Sequence, residues 1–590
     1  MNYIVTVLVL LCGMAAPMLA ADAPLGHKDF VPTPEHPVGW RGDGTGVFPG
    51  ATPPTQWSGP AGRNAVMKGG KVVKVDVPLV WDGPETKNIL WQVPMPHQTL
   101  ASPIVVKGKV ITLADPHTIL AYDADTGKRL WHNAQDTFDL MARDPAEAKK
   151  LRRLYDLYHR HFSVDREYEK TWTTKDATSG IDLPAEKEIA LRELKAAGID
   201  PTATTKKLNH TNQHPFFAKY GLCAFVDVAL ASTMSTPVSD GTWVWVLWSS
   251  TRTVACYDVQ TGKCRWMRWM GPHAGGVPGF NYNSPLLADG VLVVRHEDKL
   301  SGLDPQTGKD IWVVEAGGTR ARPAVFAAAN YSCETPVLAT VGAKKVVLMY
   351  STAAVDVKTG ETVVPGAAWP KESCSKAGPC IFGSSPFLGG PDIVVQLPGK
   401  YGDMAARKFS EKGVQPMLWG GVLDETDGYV NEDTGQSLAH GGYVYLNDSG
   451  TSALIEIAAG KLIPRGIAGP NGGYPGCNIA GQHFFNFDGA ASCTVTTLGP
   501  QGKLVSINHL IPGYGHTKRL TSAQGHGMKN PKGFTREWWK QAFAAREEGV
   551  VGWVGRTDTL AAGEMSAGPF FQGDRIYLRT HAELICIGSK

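Results

Sequence analysis

The sequence predicts an all-β fold, an eight-bladed β-propeller of four-stranded antiparallel blades with a mainly helical insertion, and three observations lead there. One motif recurs almost unchanged as LAYDADTGKRLW (Leu120–Trp131), ACYDVQTGKCRW (Ala255–Trp266) and SGLDPQTGKDIW (Ser301–Trp312). Each copy joins an apolar run, an Asp, a Thr-Gly-Lys turn and a Trp eight residues after the Asp, which reads as a β-hairpin closed by a tight turn. A second pattern precedes each hairpin: Ser102-Pro103, Thr236-Pro237, Ser284-Pro285 and Thr335-Pro336 each enter a short apolar strand that ends in a Gly turn and a second strand. The third observation concerns the two ends of the array. The strand around Trp91 (Asn88–Val93) has no neighbour in sequence, and the last copy stops at Lys590 after its third strand. Joining the two closes the ring and removes an open sheet edge.

The elements follow in chain order. Residues 1–21 carry an apolar core from Tyr3 to Met14 and end in small residues, the pattern of a secretory signal peptide. The run is shorter than the roughly 20 apolar residues a spanning helix needs. Residues 22–85 form an N-terminal extension, and residues 86–590 the propeller. A fourth hairpin, Ala354–Val363, keeps Asp356 and Thr359-Gly360 but lacks the Trp. Weaker copies begin at Ser385-Pro386, His440, His483 and Gly568-Pro569. Two segments break the repeat. Residues 134–231 are charged and helical, with Leu151, Leu154 and Leu157 at helical spacing behind Asp144-Pro145, and a second helix from Leu183 closed by Gly198. Residues 512–562 read as a Gly-rich loop followed by a helix before the last blade.

The four-strand unit with its Trp resembles the PQQ-like repeat of the quinoprotein alcohol dehydrogenase-like propellers, in a secreted bacterial member. Trp40-Arg41-Gly42-Asp43-Gly44-Thr45-Gly46 is similar to the segment that precedes the propeller in many of them. The resemblance implies that Trp91, Trp131, Trp266 and Trp312 dock structurally onto the neighbouring blade. It also makes PQQ a possible cofactor, yet the vicinal Cys-Cys pair and the acidic calcium signature of the dehydrogenases are missing here. The family holds dehydrogenases, assembly lipoproteins and other proteins, so fold alone does not assign the chemistry.

Composition sets further bounds. With 58 basic and 55 acidic residues the net charge of +3 offers no bias toward nucleic acid, and 17 Trp suit repeated docking positions. The expected location after signal cleavage is the periplasm or the extracellular space, as a monomer that does not span a membrane. Nine cysteines lie beyond the signal. Cys256 with Cys264, and Cys374 with Cys380, are spaced for possible disulfides, with buried thiols as the alternative. No metal-ligand spacing stands out among the histidines.

In a propeller, the segments just ahead of each innermost strand converge on the channel mouth. That rule gathers His97, His273, Asn281, Tyr282, Asn283, Arg320, Arg322, Tyr331, Glu334, His440 and His483 as ligand-binding candidates. Three functions remain open for such a mouth: a binding or scaffold role toward a protein partner, a PQQ-dependent dehydrogenase, or a lyase or hydrolase that acts on carbohydrate with His, Tyr and Arg. No catalytic residue is singled out.

Overall fold

The computed structural model describes residues 23–57, 66–68, 71–74, 88–96, 99–161, 183–199, 215–218, 220, 222, 233, 235–249, 251–272, 283–296, 299–315, 335–349, 354–364, 385–396, 405–419, 437–446, 451–468, 472–488, 492–509, 568–580 and 583–589. They form an eight-bladed β-propeller of four-stranded antiparallel sheets. Blades 1 to 7 run in sequence order from an innermost to an outermost strand, beginning with Ile104–Val106, Val238–Ser239, Leu286–Ala288, Val337–Val341, Phe387–Gly390, Leu438–His440 and Gly472–Ala480. Blade 8 takes three strands from Phe570–Gly588 and its outermost strand, Ile89–Pro94, from near the start of the chain. Trp91 lies opposite Cys586 in that ladder, so the two ends of the array are hydrogen-bonded into a ring.

Turns alternate between the two ends of an up-and-down sheet. The turns between strands one and two and between three and four share a lower rim; the turns between two and three, and the blade-to-blade links, share an upper rim. On the lower rim, Asp123 Oδ1 accepts the amides of Asp125 (3.2 Å) and Thr126 (2.8 Å) and the Thr126 hydroxyl (2.7 Å). Asp258, Asp304 and Asp356 accept the equivalent pair of amides in blades 2, 3 and 4. A side-chain acceptor thus mimics a backbone turn, and the Gly that follows takes the left-handed conformation the turn demands, as Gly262 does at φ 69° and Gly308 at φ 71°.

These glycines also receive the neighbouring blade. The indole Nε1 of Trp91 donates to Ala124 O (3.1 Å), Trp131 to Val259 O (3.1 Å), Trp266 to Pro305 O (3.0 Å), Trp312 to Val357 O (2.9 Å) and Trp419 to Ile457 O (2.7 Å). Each ring lies so close to the next blade's turn glycine (Gly127, Gly262, Gly308, Gly360 and Gly460 in turn) that an added Cβ would fall within 3 Å of it. Between blades 6 and 7 a guanidinium takes the place of the indole: Arg465 packs over Gly502 and donates to Thr497 O (2.6 Å) and Thr496 Oγ1 (3.1 Å). A bulge between strands three and four recurs beside these positions in blades 1 to 4, where it turns the outer strand toward its neighbour.

The register of the blade 2 hairpin corrects one disulfide expectation. It places Cys264 opposite Tyr257 and Cys256 opposite Trp266, so the two sulfurs are not cross-strand partners and both cysteines are free thiols. Burial lifts the Cys264 thiol to about 11 and raises Cys256 further. Cys374 and Cys380 lie outside the described residues, as do the expected signal peptide (residues 1–21) and the 512–562 insertion.

Residues 23–57 are woven into the lower end of the channel. Val38 bridges Ser239 of blade 2, Gly26 O accepts the Gly573 amide of blade 8 (2.7 Å), and Val47–Phe48 adds a parallel strand along the innermost strand of blade 7. Trp40 packs in a cluster with Val337 of blade 4 and Val394 of blade 5. Arg41 is buried and donates to Ser437 O of blade 6 (2.9 Å) and Cys477 O of blade 7 (3.1 Å). This strap therefore ties together blades that are far apart in the ring.

Between blades 1 and 2 stand helices α1 (Phe138–Met141), α2 (Pro145–His161), α3 (Leu183–Ala196) and α4 (Pro215–Ala218). The Asp144 carboxylate accepts the Glu147 amide at the start of α2 (2.8 Å), as a helix N-cap does. The helices bury a core of their own around Phe138, Leu151, Leu154, Tyr155, Leu194 and Phe217, with Trp269 of blade 2 packed against it.

Candidate functional site

Because α1 to α4 interrupt a blade-to-blade link, they belong to the upper rim. His117, in the upper turn of blade 1, meets Phe138 edge-to-face at 6.1 Å. Both Asp115 oxygens accept the Thr233 amide, at 2.8 and 3.0 Å, on the chain returning from the helices, and Leu100 N donates to Thr233 O (2.9 Å). The insertion is thereby fastened beside the channel mouth at its entry and at its exit.

The residue before each entry proline builds the neck of that mouth. Ser102 N donates to Thr236 Oγ1 (3.2 Å), Thr236 N to Ser284 Oγ (2.9 Å), Ser284 N to Thr335 Oγ1 (3.0 Å) and Thr335 N to Ser385 Oγ (2.8 Å). Five consecutive blades are thus linked, each amide reaching the next blade's hydroxyl. Proline holds the chain extended at each step, and the hydroxyl supplies the acceptor that a strand-entry amide lacks. The recurrence of Ser/Thr-Pro carried this information in the sequence, where it read only as a strand entry.

Charged groups gather on the same rim. Arg252, buried and at a positive φ of 55° in the upper turn of blade 2, contacts His296 Nε2 of blade 3. Arg579 of blade 8 is wholly buried, and burial lowers its guanidinium to about 9 despite the opposing field of Tyr122, Asp115 and Glu583. Glu583 in turn accepts from Gln92 Nε2 of the ring-closing strand (2.6 Å). Sequence reasoning missed Asp115, Arg252, His296 and Arg579, since they lie beyond the innermost strand entries, Asp115 and Arg252 in the turns between second and third strands and His296 and Arg579 at the ends of second strands.

Of the expected mouth residues, Asn283 lies buried just ahead of the innermost strand of blade 3. His97, His273, Asn281, Tyr282, Arg320, Arg322, Tyr331 and Glu334 lie outside the described residues. His440 and His483 require correction. His440 ends the innermost strand of blade 6 and His483 begins the second strand of blade 7, so both sit on the lower rim, away from the mouth. Blades 6 and 7 have no Ser/Thr-Pro entry, and the Gly turn before the second strand imitated the missing signal. His483 is half-buried, which lowers its pKa.

Comparison with known proteins agrees with this architecture. The PQQ_2 family, described as outer membrane protein assembly factor BamB, matches residues 40–158 and 205–368, just under half of the chain. The matched stretches carry PQQ-like repeats. Among solved structures this propeller is similar to BamB from Moraxella catarrhalis, at 12% identity and a TM-score of 0.34 over 60% of this chain and 81% of that one. It is also similar to the computationally designed Ika8 protein, at 9% identity and a TM-score of 0.40 over 85% and 99% of the two chains. A europium-containing methanol dehydrogenase matches at 11% identity and a TM-score of 0.32 over 82% and 81%. No curated protein matches the chain. Among the described residues, no helix is long and apolar enough to cross a membrane.

Proposed function

We propose that this PQQ-like propeller is an exported binding or scaffold protein that receives a ligand or a protein partner at its upper mouth. The observation that carries the reading is the asymmetry of the two channel ends. The strap of residues 23–57 crosses the lower end, while the upper end keeps its hydroxyl-linked neck and has a separately cored helical shoulder fastened beside it. An insertion that buries its own apolar residues presents a stable surface next to the mouth at little cost to the ring, an arrangement suited to recognition. The family match to an outer membrane assembly factor supports a protein partner in the periplasm.

The test uses the mature protein in its own envelope. A photo-crosslinking amino acid at exposed Lys150 of α2 or Glu188 of α3 is expected to trap one defined envelope protein, and the same residue on the outer strand of blade 3, at Ile311, to trap none. Saturable binding of PQQ with calcium accompanied by substrate-dependent dye reduction would replace this reading with a dehydrogenase. Cleavage of uronic-acid oligosaccharides that is lost in Arg320→Ala would replace it with a lyase.

A further inference from the structure

The strap does not fill the space beneath it. Between residues 23–44 of the strap and the innermost strands of blades 2, 3 and 4 lies a cavity of about 660 Å³. Well-packed interiors leave few voids larger than a water molecule, whereas small-molecule sites occupy roughly 300–1,000 Å³. This space is therefore the size of a ligand site. Its lining runs from the strap up to Pro285, Thr335 and Pro336 at the neck of the channel.

Its walls are apolar. Phe30 and Trp40 of the strap face Val238, Leu286 and Leu338 of the three blades. The charged groups that line it are Asp29, Glu35 and Asp43 against Lys345. Asp29 is paired with exposed Lys28 (2.7 Å) and Lys345 with Asp289 (2.7 Å), which removes one charge of each sign. Glu35 and Asp43 have no ion pair within 4 Å among the described residues. The nearby guanidinium of Arg41 is turned to the carbonyls of Ser437 and Cys477. A carboxylate at the edge of a low-dielectric cavity favours a cation within it, while Trp40, whose ring already carries the Arg41 guanidinium 5.5 Å from its centroid, adds apolar wall. A polyanion would meet like charge.

We infer that the cavity under the strap is a binding site for an apolar organic cation, held by the aromatic and aliphatic walls and oriented by Glu35 and Asp43. The probe is tetraphenylphosphonium, with tetraphenylborate as a control of the same shape and opposite charge, titrated calorimetrically into the mature protein. One saturable site for the phosphonium, at least tenfold tighter than for the borate, is expected. Leu286→Trp and Leu338→Trp, at half-buried positions that line the space, should each abolish binding while circular dichroism and the melting temperature show a folded ring. Glu35→Lys, at an exposed position that any fold tolerates, should weaken it about two- to fivefold, the effect of a rim charge worth somewhat under 1 kcal/mol. Absence of saturable phosphonium binding, equal affinity for the borate, or binding unchanged in Glu35→Lys and in whichever filling variants fold would overturn the assignment.

Discussion

The seam between blades 2 and 3 can be tested with two alanines in one blade. Gly290 and Gly308 both belong to lower-rim turns of blade 3 and have nearly the same backbone, at φ 77° and 71°. A Cβ on Gly290 would meet nothing within 4 Å, whereas on Gly308 it would lie 2.6 to 3.0 Å from three atoms of the Trp266 ring. Gly290→Ala therefore carries only the left-handed penalty, about 1–2 kcal/mol. Gly308→Ala carries that penalty plus displacement of the indole, about 1–3 kcal/mol for an overpacked contact. It also weakens the 3.0 Å hydrogen bond from Trp266 to Pro305 O, worth about 1 kcal/mol. The difference between the variants is thus expected to be about 2–4 kcal/mol. Because a large ring opens in parts, the measurement is hydrogen exchange of peptides on both sides of the seam, with denaturant midpoints alongside. In a Trp266→Leu background the excess cost of Gly308→Ala should vanish. Equal protection in the two glycine variants, or an excess that persists without the indole, would refute the idea that these rings lock blade to blade.

Three further outcomes are expected. Ser284→Ala leaves the buried Thr236 amide without its acceptor and should destabilise the neck by about 1–3 kcal/mol, seen as faster exchange at that amide, whereas Ser284→Thr should restore it. Arg41→Met should destabilise the ring by about 2–5 kcal/mol, because two buried carbonyls lose their donor and the strap loses its tie to blades 6 and 7; limited proteolysis within residues 23–57 reports it, and an unchanged digestion pattern counts against the strap. Glu147 is held at about 2 by hydrogen bonds from the Arg143 side chain and amide and from the Tyr220 hydroxyl. A carboxyl depressed in the folded state contributes stability that is complete above its unfolded value near 4.5 and is lost as pH falls toward 2. Local exchange in α2 and α4 should rise across that window and Glu147→Gln should flatten the dependence; an identical profile in the variant would exclude this carboxylate as the cause.

How much of this was legible in the sequence depended on the range of each interaction. The Asp-x-x-Thr-Gly hairpins are local, their acceptor and amides two or three residues apart, so blades 1 to 4 could be read directly. Ring closure was also legible, since a lone strand and an incomplete blade are defined by what each lacks. Blades 6 and 7 misled because their entries carry no Ser/Thr-Pro pair, which moved His440 and His483 to the wrong rim. The disulfide expectation for Cys256 and Cys264 failed on the hairpin register: with Asp258 opposite Lys263 across the turn, Cys264 falls opposite Tyr257, one residue away from Cys256. Arg465 could not have been foreseen as a stand-in for a docking indole, because that role is defined by Gly502 on the next blade.

What the sequence by itself determined is the module: its turns, its apolar alternation and the number of times it is repeated. The tertiary structure alone decided where the strap goes and what it encloses. Trp40 and Arg41 have partners roughly 300 to 440 positions away, at Val337, Val394, Ser437 and Cys477. No local pattern encodes such contacts. They exist because closing the ring brings innermost strands from all around it to the end of one channel, where a short segment can reach several of them at once.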